Sequence, residues 1–130
     1  MFGSQNIKSV NVYLTGDPAA DDVLPVFVAP QAVRIVSAKA VSTNGLAADG
    51  TNHFALTLHN RGSAGTATQA ISDAIGGTAG WAALTPTAFT IDADYENIAS
   101  GDLIGVSYDE NGTGTFTAML VQIDYLVGQG

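Results

Sequence analysis

Apolar positions in this chain recur mostly at every second residue, and glycine or Asx clusters interrupt the runs at short intervals. A period of two sends successive side chains to opposite faces of a sheet, so the pattern predicts strands and loops throughout. The clearest run is His53-Phe54-Ala55-Leu56-Thr57-Leu58-His59, in which Phe54, Leu56 and Leu58 face a core while His53, Thr57 and His59 face out. Asn60-Arg61-Gly62 then turns the chain. Further strands are expected at Ile7–Thr15, Val23–Ala29, Val33–Ser42, Thr87–Asp92 and Leu103–Tyr108. Pro25 and Pro30 bracket the second of these, which suits an edge position or strand ends, where a missing N–H costs little. Ala67–Ile75 has apolar residues at helical spacing, but it is short and sits among strands, and we read it as a strand with a ragged end.

The final run, Thr115–Val127, places Met119, Val121, Ile123, Tyr125 and Val127 on one face and Phe116, Ala118, Leu120, Gln122 and Asp124 on the other. A strand that meets only water on its second side reads more polar than this, so Phe116 and Leu120 imply a second buried contact, either within the fold or with another subunit.

Turn signals at Asn44-Gly45, Asp49-Gly50, Asn111-Gly112 and the Gly76–Gly80 stretch favour connections that need positive φ. About eight strands with some long loops fit an all-β, two-sheet antiparallel sandwich of jelly-roll or Greek-key type, with a closed barrel as the alternative. No repeat, linker or composition break divides the chain, so residues 7–130 are expected to form a single domain preceded by a flexible arm, residues 1–6.

Composition narrows the function. The 130 residues are 46% hydrophobic and 12% charged with 15 glycines, a balance that suits sheets joined by tight turns. Twelve acidic residues against Lys8, Lys39, Arg34 and Arg61 leave a net charge of −8, with no basic stripe for phosphates, so nucleic acid is not an expected partner. An acidic surface keeps a protein soluble at high local concentration. The lack of cysteine removes disulfides, thiolate metal sites and a thiol nucleophile. Neither a leader-like N-terminus nor a bilayer-spanning apolar stretch is present, so synthesis in the cytoplasm and no membrane partner are expected.

Candidate chemistry is sparse. His53 and His59 lie about 20 Å apart at strand rise, too far to share a metal. Asp92-Ala93-Asp94-Tyr95-Glu96-Asn97 begins like a calcium loop, but Asn97 and Leu103 stand where an EF-hand needs glycine and a bidentate glutamate. A solvated acidic loop is the plainer reading, ahead of a looser Ca²⁺ site or a carboxylate pair for glycoside hydrolysis. The glycine-rich stretches Gly62–Gly65 and Gly76–Gly80 lack the Lys-Ser/Thr of a phosphate loop, and no nucleophile elbow occurs. No catalytic residue, metal or cofactor is therefore expected. Trp81 is read either as a plug at a sandwich end or interface, or as a ligand platform.

The order of signals carries a resemblance. After Val33–Ser42 come Asp49-Gly50-Thr51-Asn52-His53 through Gly62, a Gly/Thr-rich middle, Leu84-Thr85-Pro86-Thr87-Ala88-Phe89-Thr90-Ile91, Ile98-Ala99-Ser100-Gly101-Asp102-Leu103-Ile104-Gly105-Val106 and a long apolar last strand. From Val33 to Val127 this resembles the small jelly-roll decoration, or cement, proteins of tailed-bacteriophage capsids and related head-fibre modules. The resemblance implies a non-catalytic homo-oligomer, a trimer by preference, on the outer capsid surface, clamping neighbouring copies of the major capsid protein. Its interface would rest on apolar anchors, for which Phe2, Trp81, Phe116 and Leu120 are the candidates. The alternative is a carbohydrate- or receptor-binding module of a fibre or cell-surface protein that uses Trp81, Tyr95 and Tyr108.

Overall fold

The computed structural model describes residues 6–15 and 22–128. Phe2, and with it all of the expected arm except Asn6, lies outside the described residues. Among the described residues ten strands follow one another: β1 (Lys8–Thr15), β2 (Val23–Val28), β3 (Val33–Ser42), β4 (His53–Asn60), β5 (Gln69–Ala70), β6 (Ile75–Gly76), β7 (Thr87–Phe89), β8 (Asn97–Ile98), β9 (Leu103–Asn111) and β10 (Ala118–Val127). One sheet has the order β1-β10-β3-β7, with β8 also on β3, and the other has β2-β9-β4-β5, with β6 also on β4.

All the pairings are antiparallel. The first four strands alternate between the sheets, and the later ones return beside them as β1·β10, β2·β9, β3·β7/β8 and β4·β5/β6. The chain is thus one long hairpin wrapped into a two-sheet antiparallel sandwich, which is a jelly roll. Because β5 and β6 share one position beside β4, and β7 and β8 share one beside β3, ten strands fill eight positions. Among the described residues the two sheets share no strand pairing, which is a sandwich and not a closed barrel.

Alternation places the core as expected over most of the chain. Phe54, Leu56 and Leu58 of β4, Ile104, Val106 and Tyr108 of β9, and Met119, Val121 and Ile123 of β10 are fully buried. Strand β3 departs from simple alternation, because Val33 and Ile35 point inward and so do Ala38, Ala40 and Ser42. A register skip against β10, between Asp124↔Ser37 and Tyr125↔Ile35, leaves Val36 as an extra, exposed residue. This bulge resets the side-chain parity, and without it one half of β3 would turn its apolar residues to solvent.

The Ala67–Ile75 segment is a correction of detail. Gln69–Ala70 and Ile75–Gly76 form the ladder pairs with β4, and Ile71 N–H still bonds Leu58 O of β4. The other contacts of the stretch between them reach the segment after β7 in the other sheet, with Asp73 N–H bonding Thr90 O and Asp92 N–H bonding Ile71 O. The Ser72 hydroxyl accepts Leu58 N–H at 3.0 Å, completing the backbone pairing where the strand is interrupted. Strand β8, inside the supposed acidic loop, has no alternating signal because it is two residues long.

Candidate functional site

Two of the four expected surface anchors are core residues. Trp81 is 6% exposed and Phe116 is 1% exposed. Phe54 is their hub, with ring centroids 4.9 Å from Trp81 in a near-parallel stack, 5.5 Å from Phe116 and 5.6 Å from Tyr108. Phe116 meets Tyr108 edge-on. The Trp81 indole N–H donates to Phe54 O at 3.0 Å, which satisfies its polar end inside the core.

The glycine-rich stretch before Trp81 is its socket. A Cβ on Gly76 would collide with the indole ring, and one on Gly80 would collide with Leu46 O, against which Trp81 makes an isolated antiparallel bridge. Both glycines also have φ of 83°, a region that side chains disfavour.

Phe116 is displaced from the face assigned to it because β10 begins only at Ala118. The Asn44 amide donates to Thr115 O at 3.2 Å and accepts Thr117 N–H at 2.7 Å, so the chain around Phe116 is held by a loop rather than by strand pairing. Strand parity therefore does not reach Phe116, and it turns inward onto Phe54 and Tyr108. The glycan-platform trio fails for a related reason. Tyr108 is fully buried, its hydroxyl donating to Glu110 at 2.7 Å, and of the three only Tyr95 is exposed.

Leu120 is half-buried on the outer face of the first sheet, where the register gathers a patch that the sequence did not show as a unit. Tyr13 lies opposite Leu120, and Leu120 lies opposite Val41. Pro86, just before β7, closes the row, and Lys39, Val41, Pro86, Leu120 and Gln122 line a hollow of about 260 Å³. Tyr13 is 63% exposed.

Leu84 belongs to the same neighbourhood. Its N–H bonds Ser42 O at the end of β3, it is 71% exposed, and its φ of 53° is the one positive value at a described non-glycine residue. Holding a leucine in that conformation costs roughly 1–2 kcal/mol.

Polar rows border the apolar one. Asn11, Gln122, Lys39 and Ala88 are aligned across four strands, followed by Ser9, Asp124 and Ser37 across three. The Ser9 hydroxyl donates to Asp124 Oδ1 at 2.5 Å, the Ser37 hydroxyl to Oδ2 at 3.0 Å and the Gln122 amide to Oδ1 at 3.1 Å. The Ser9 bond chiefly holds the Asp124 carboxyl below the usual carboxylate range. Partial burial opposes it, and Ser37, Gln122 and the Lys39 charge add to it.

The other outer face is different. His59 lies opposite both Gly105 and Ala70, and its half-buried ring has a buried Nδ1 without a hydrogen-bond partner. Burial, and then the Arg61 charge, push its pKa down. His53 sits at the far end of β4 with Nδ1 3.0 Å from Asp49 O. The acidic cluster folds as an Asx turn, with the Asp92 carboxylate accepting Asp94 N–H at 2.9 Å. Among the described residues no three His, Asp or Glu side chains gather at metal-binding distance. Compared with known proteins, the chain matches no family model, no curated protein and no solved structure.

Proposed function

We propose that this chain is a non-catalytic structural protein of a bacteriophage head, lying on the outer capsid surface and binding the major capsid protein across subunit boundaries through the outer face of its first sheet. The observation that carries this reading is the row Tyr13, Leu120, Val41 and Pro86 on a face that would be polar throughout if it met only water. An apolar centre bordered by Asn11, Gln122, Lys39, Ser9 and Asp124 has the layout of a protein interface, in which a few anchors carry affinity and the polar border sets orientation. Leu84 supports the same reading, because a strained conformation that holds an apolar side chain in solvent works against the fold and is retained where it serves a contact. The jelly roll is compatible with capsid proteins, although the fold alone assigns no role.

Decoration would be cooperative in effect, since many modest contacts around one shell act together. The test is to bind the purified protein to capsids stripped of it and to count copies per shell. A Tyr13→Asp/Leu120→Asp variant, and separately Leu84→Asn, should keep the native fold by circular dichroism and lose at least about tenfold in occupancy. Full occupancy by both variants, or wild-type protein that never binds shells, would exclude this face and this role respectively.

A further inference from the structure

The four sheet edges are not equivalent. On the second sheet, β2 carries Pro25 and a register skip between Pro25 and Phe27, while β5 and β6 are two residues each. On the first sheet, β7 and β8 have three and two residues. Prolines, bulges and very short strands are devices that stop an edge from pairing with another chain. Strand β1 has none of them. It runs eight residues in unbroken register with β10, contains no proline, and among the described residues pairs with β10 alone.

The composition of β1 also matters. Its only charge is Lys8, although the whole chain carries −8. Its inward residues Val10, Val12 and Leu14 are each only half-buried, whereas their neighbours Ile123, Val121 and Met119 on β10 are fully buried. The outward residues Ser9, Asn11, Tyr13 and Thr15 are exposed, neutral and able to hydrogen-bond.

We infer that β1 pairs antiparallel with β1 of a second copy, joining the two first sheets into one continuous sheet around a two-fold axis. A two-fold that keeps both cores on the same side must match inward with inward residues, which puts the axis on a residue rather than between two. Axes at Asn11 and at Val12 overlap equally within β1, but the first sets Lys8 against Leu14, whereas the second matches apolar with apolar inward residues. The Val12 axis sets Val12 against Val12, Val10 against Leu14, Asn11 against Tyr13 and Ser9 against Thr15, and no like charges meet. The half-buried valines and leucine are then covered by their own counterparts, which is why a second copy fits this edge better than a charged strand. This arrangement has two-fold symmetry and replaces the trimer that the resemblance implies. It would also double the apolar row, with one copy on each side of the axis.

The inference concerns the free protein and does not depend on the capsid reading. Sedimentation velocity from low micromolar to near-millimolar concentration should show a monomer–dimer equilibrium. Association should tighten with added salt, because salt screens the repulsion between two chains of −8. Since the chain has no cysteine, Val12→Cys should form a covalent dimer under mild oxidation, as facing strand residues lie within disulfide reach. Asn11→Lys/Tyr13→Lys should weaken association at least about tenfold while the far-ultraviolet spectrum stays unchanged. A monomer at every concentration, or a dimer that persists in the double-lysine variant and leaves Val12→Cys unlinked, would overturn the inference.

Discussion

The aromatic end of the core and the outer face of the first sheet both contain large apolar side chains, but one is closed and the other open. Inside, Phe54 touches Trp81, Tyr108 and Phe116, and the polar atoms of Trp81 and Tyr108 are bonded to the chain itself. Outside, Tyr13, Leu120, Val41 and Pro86 are brought side by side with nothing from the described residues covering Tyr13, and Leu84 is held nearby in a conformation that leucine disfavours. The first group accounts for stability at that end of the sandwich. The second contributes little to the fold, and it is the face on which the proposed function rests. Size and hydrophobicity alone do not distinguish an anchor from a core residue; satisfied polar atoms and buried neighbours do.

Breaking the closed side should have the largest effect. Phe54→Ala removes the ring on which three others pack and should destabilise by about 3–5 kcal/mol, measured as a shift in the denaturant midpoint at unchanged slope. A loss below about 1 kcal/mol would mean that the cluster is not a unit. Trp81→Phe keeps most of the packing but leaves Phe54 O without its donor, and should cost about 1–3 kcal/mol by the same measurement. In the wild-type protein Trp81 is the only tryptophan, so its emission should be blue-shifted in the native state and move to the red in a single transition on unfolding.

The smallest effect is expected on the open side. Asp124→Asn should change stability at neutral pH by no more than about 0.5 kcal/mol, because the carboxylate is mostly solvated. The sign of its pH dependence is nevertheless defined. The native state holds this carboxyl below its unfolded value, so the stabilisation is complete above the unfolded value and is lost as the pH falls through the lower, folded one. The wild type and Asp124→Asn should therefore converge in acid, and a gap that stays constant from neutrality into strong acid would remove Asp124 from this account. Larger effects from Asp124→Asn than from Trp81→Phe would reverse the contrast between the two regions.

Much of the fold was legible in the sequence where strands are long. The limits of β1, β2, β3 and β4 follow the apolar runs to within about one residue, and in β1 and β4 the alternation of more buried with more exposed residues carries the pattern through the whole strand. Legibility failed where pairing is short or interrupted. Strands β5, β6 and β8 have two residues each, too few to show a period, and the bulge at Val36 lets β3 break alternation while keeping its core intact.

The candidate site was less legible than the fold. Of the expected anchors, Leu120 lies on the open face, Trp81 and Phe116 are core residues, and Phe2 falls outside the described residues. Tyr13, Val41 and Pro86 were not singled out, since each is ordinary in its own segment and they meet only through the register of β1, β10 and β3. Nothing in the residues around Leu84 specifies a left-handed leucine, since Pro86 restricts only Thr85 before it.

By itself the sequence determined the β class, the inward residues of the long strands, the acidic surface and the absence of cysteine chemistry, because each depends on local spacing or on composition. The tertiary structure alone decided which way Trp81 and Phe116 turn, which side chains share the outer face, and which edge strand has a single partner among the described residues. A loop residue has no period to obey, so its direction depends on distant partners such as Leu46, Asn44 and Phe54. Likewise, a surface patch or a free edge exists only once strands far apart in the chain have been set side by side.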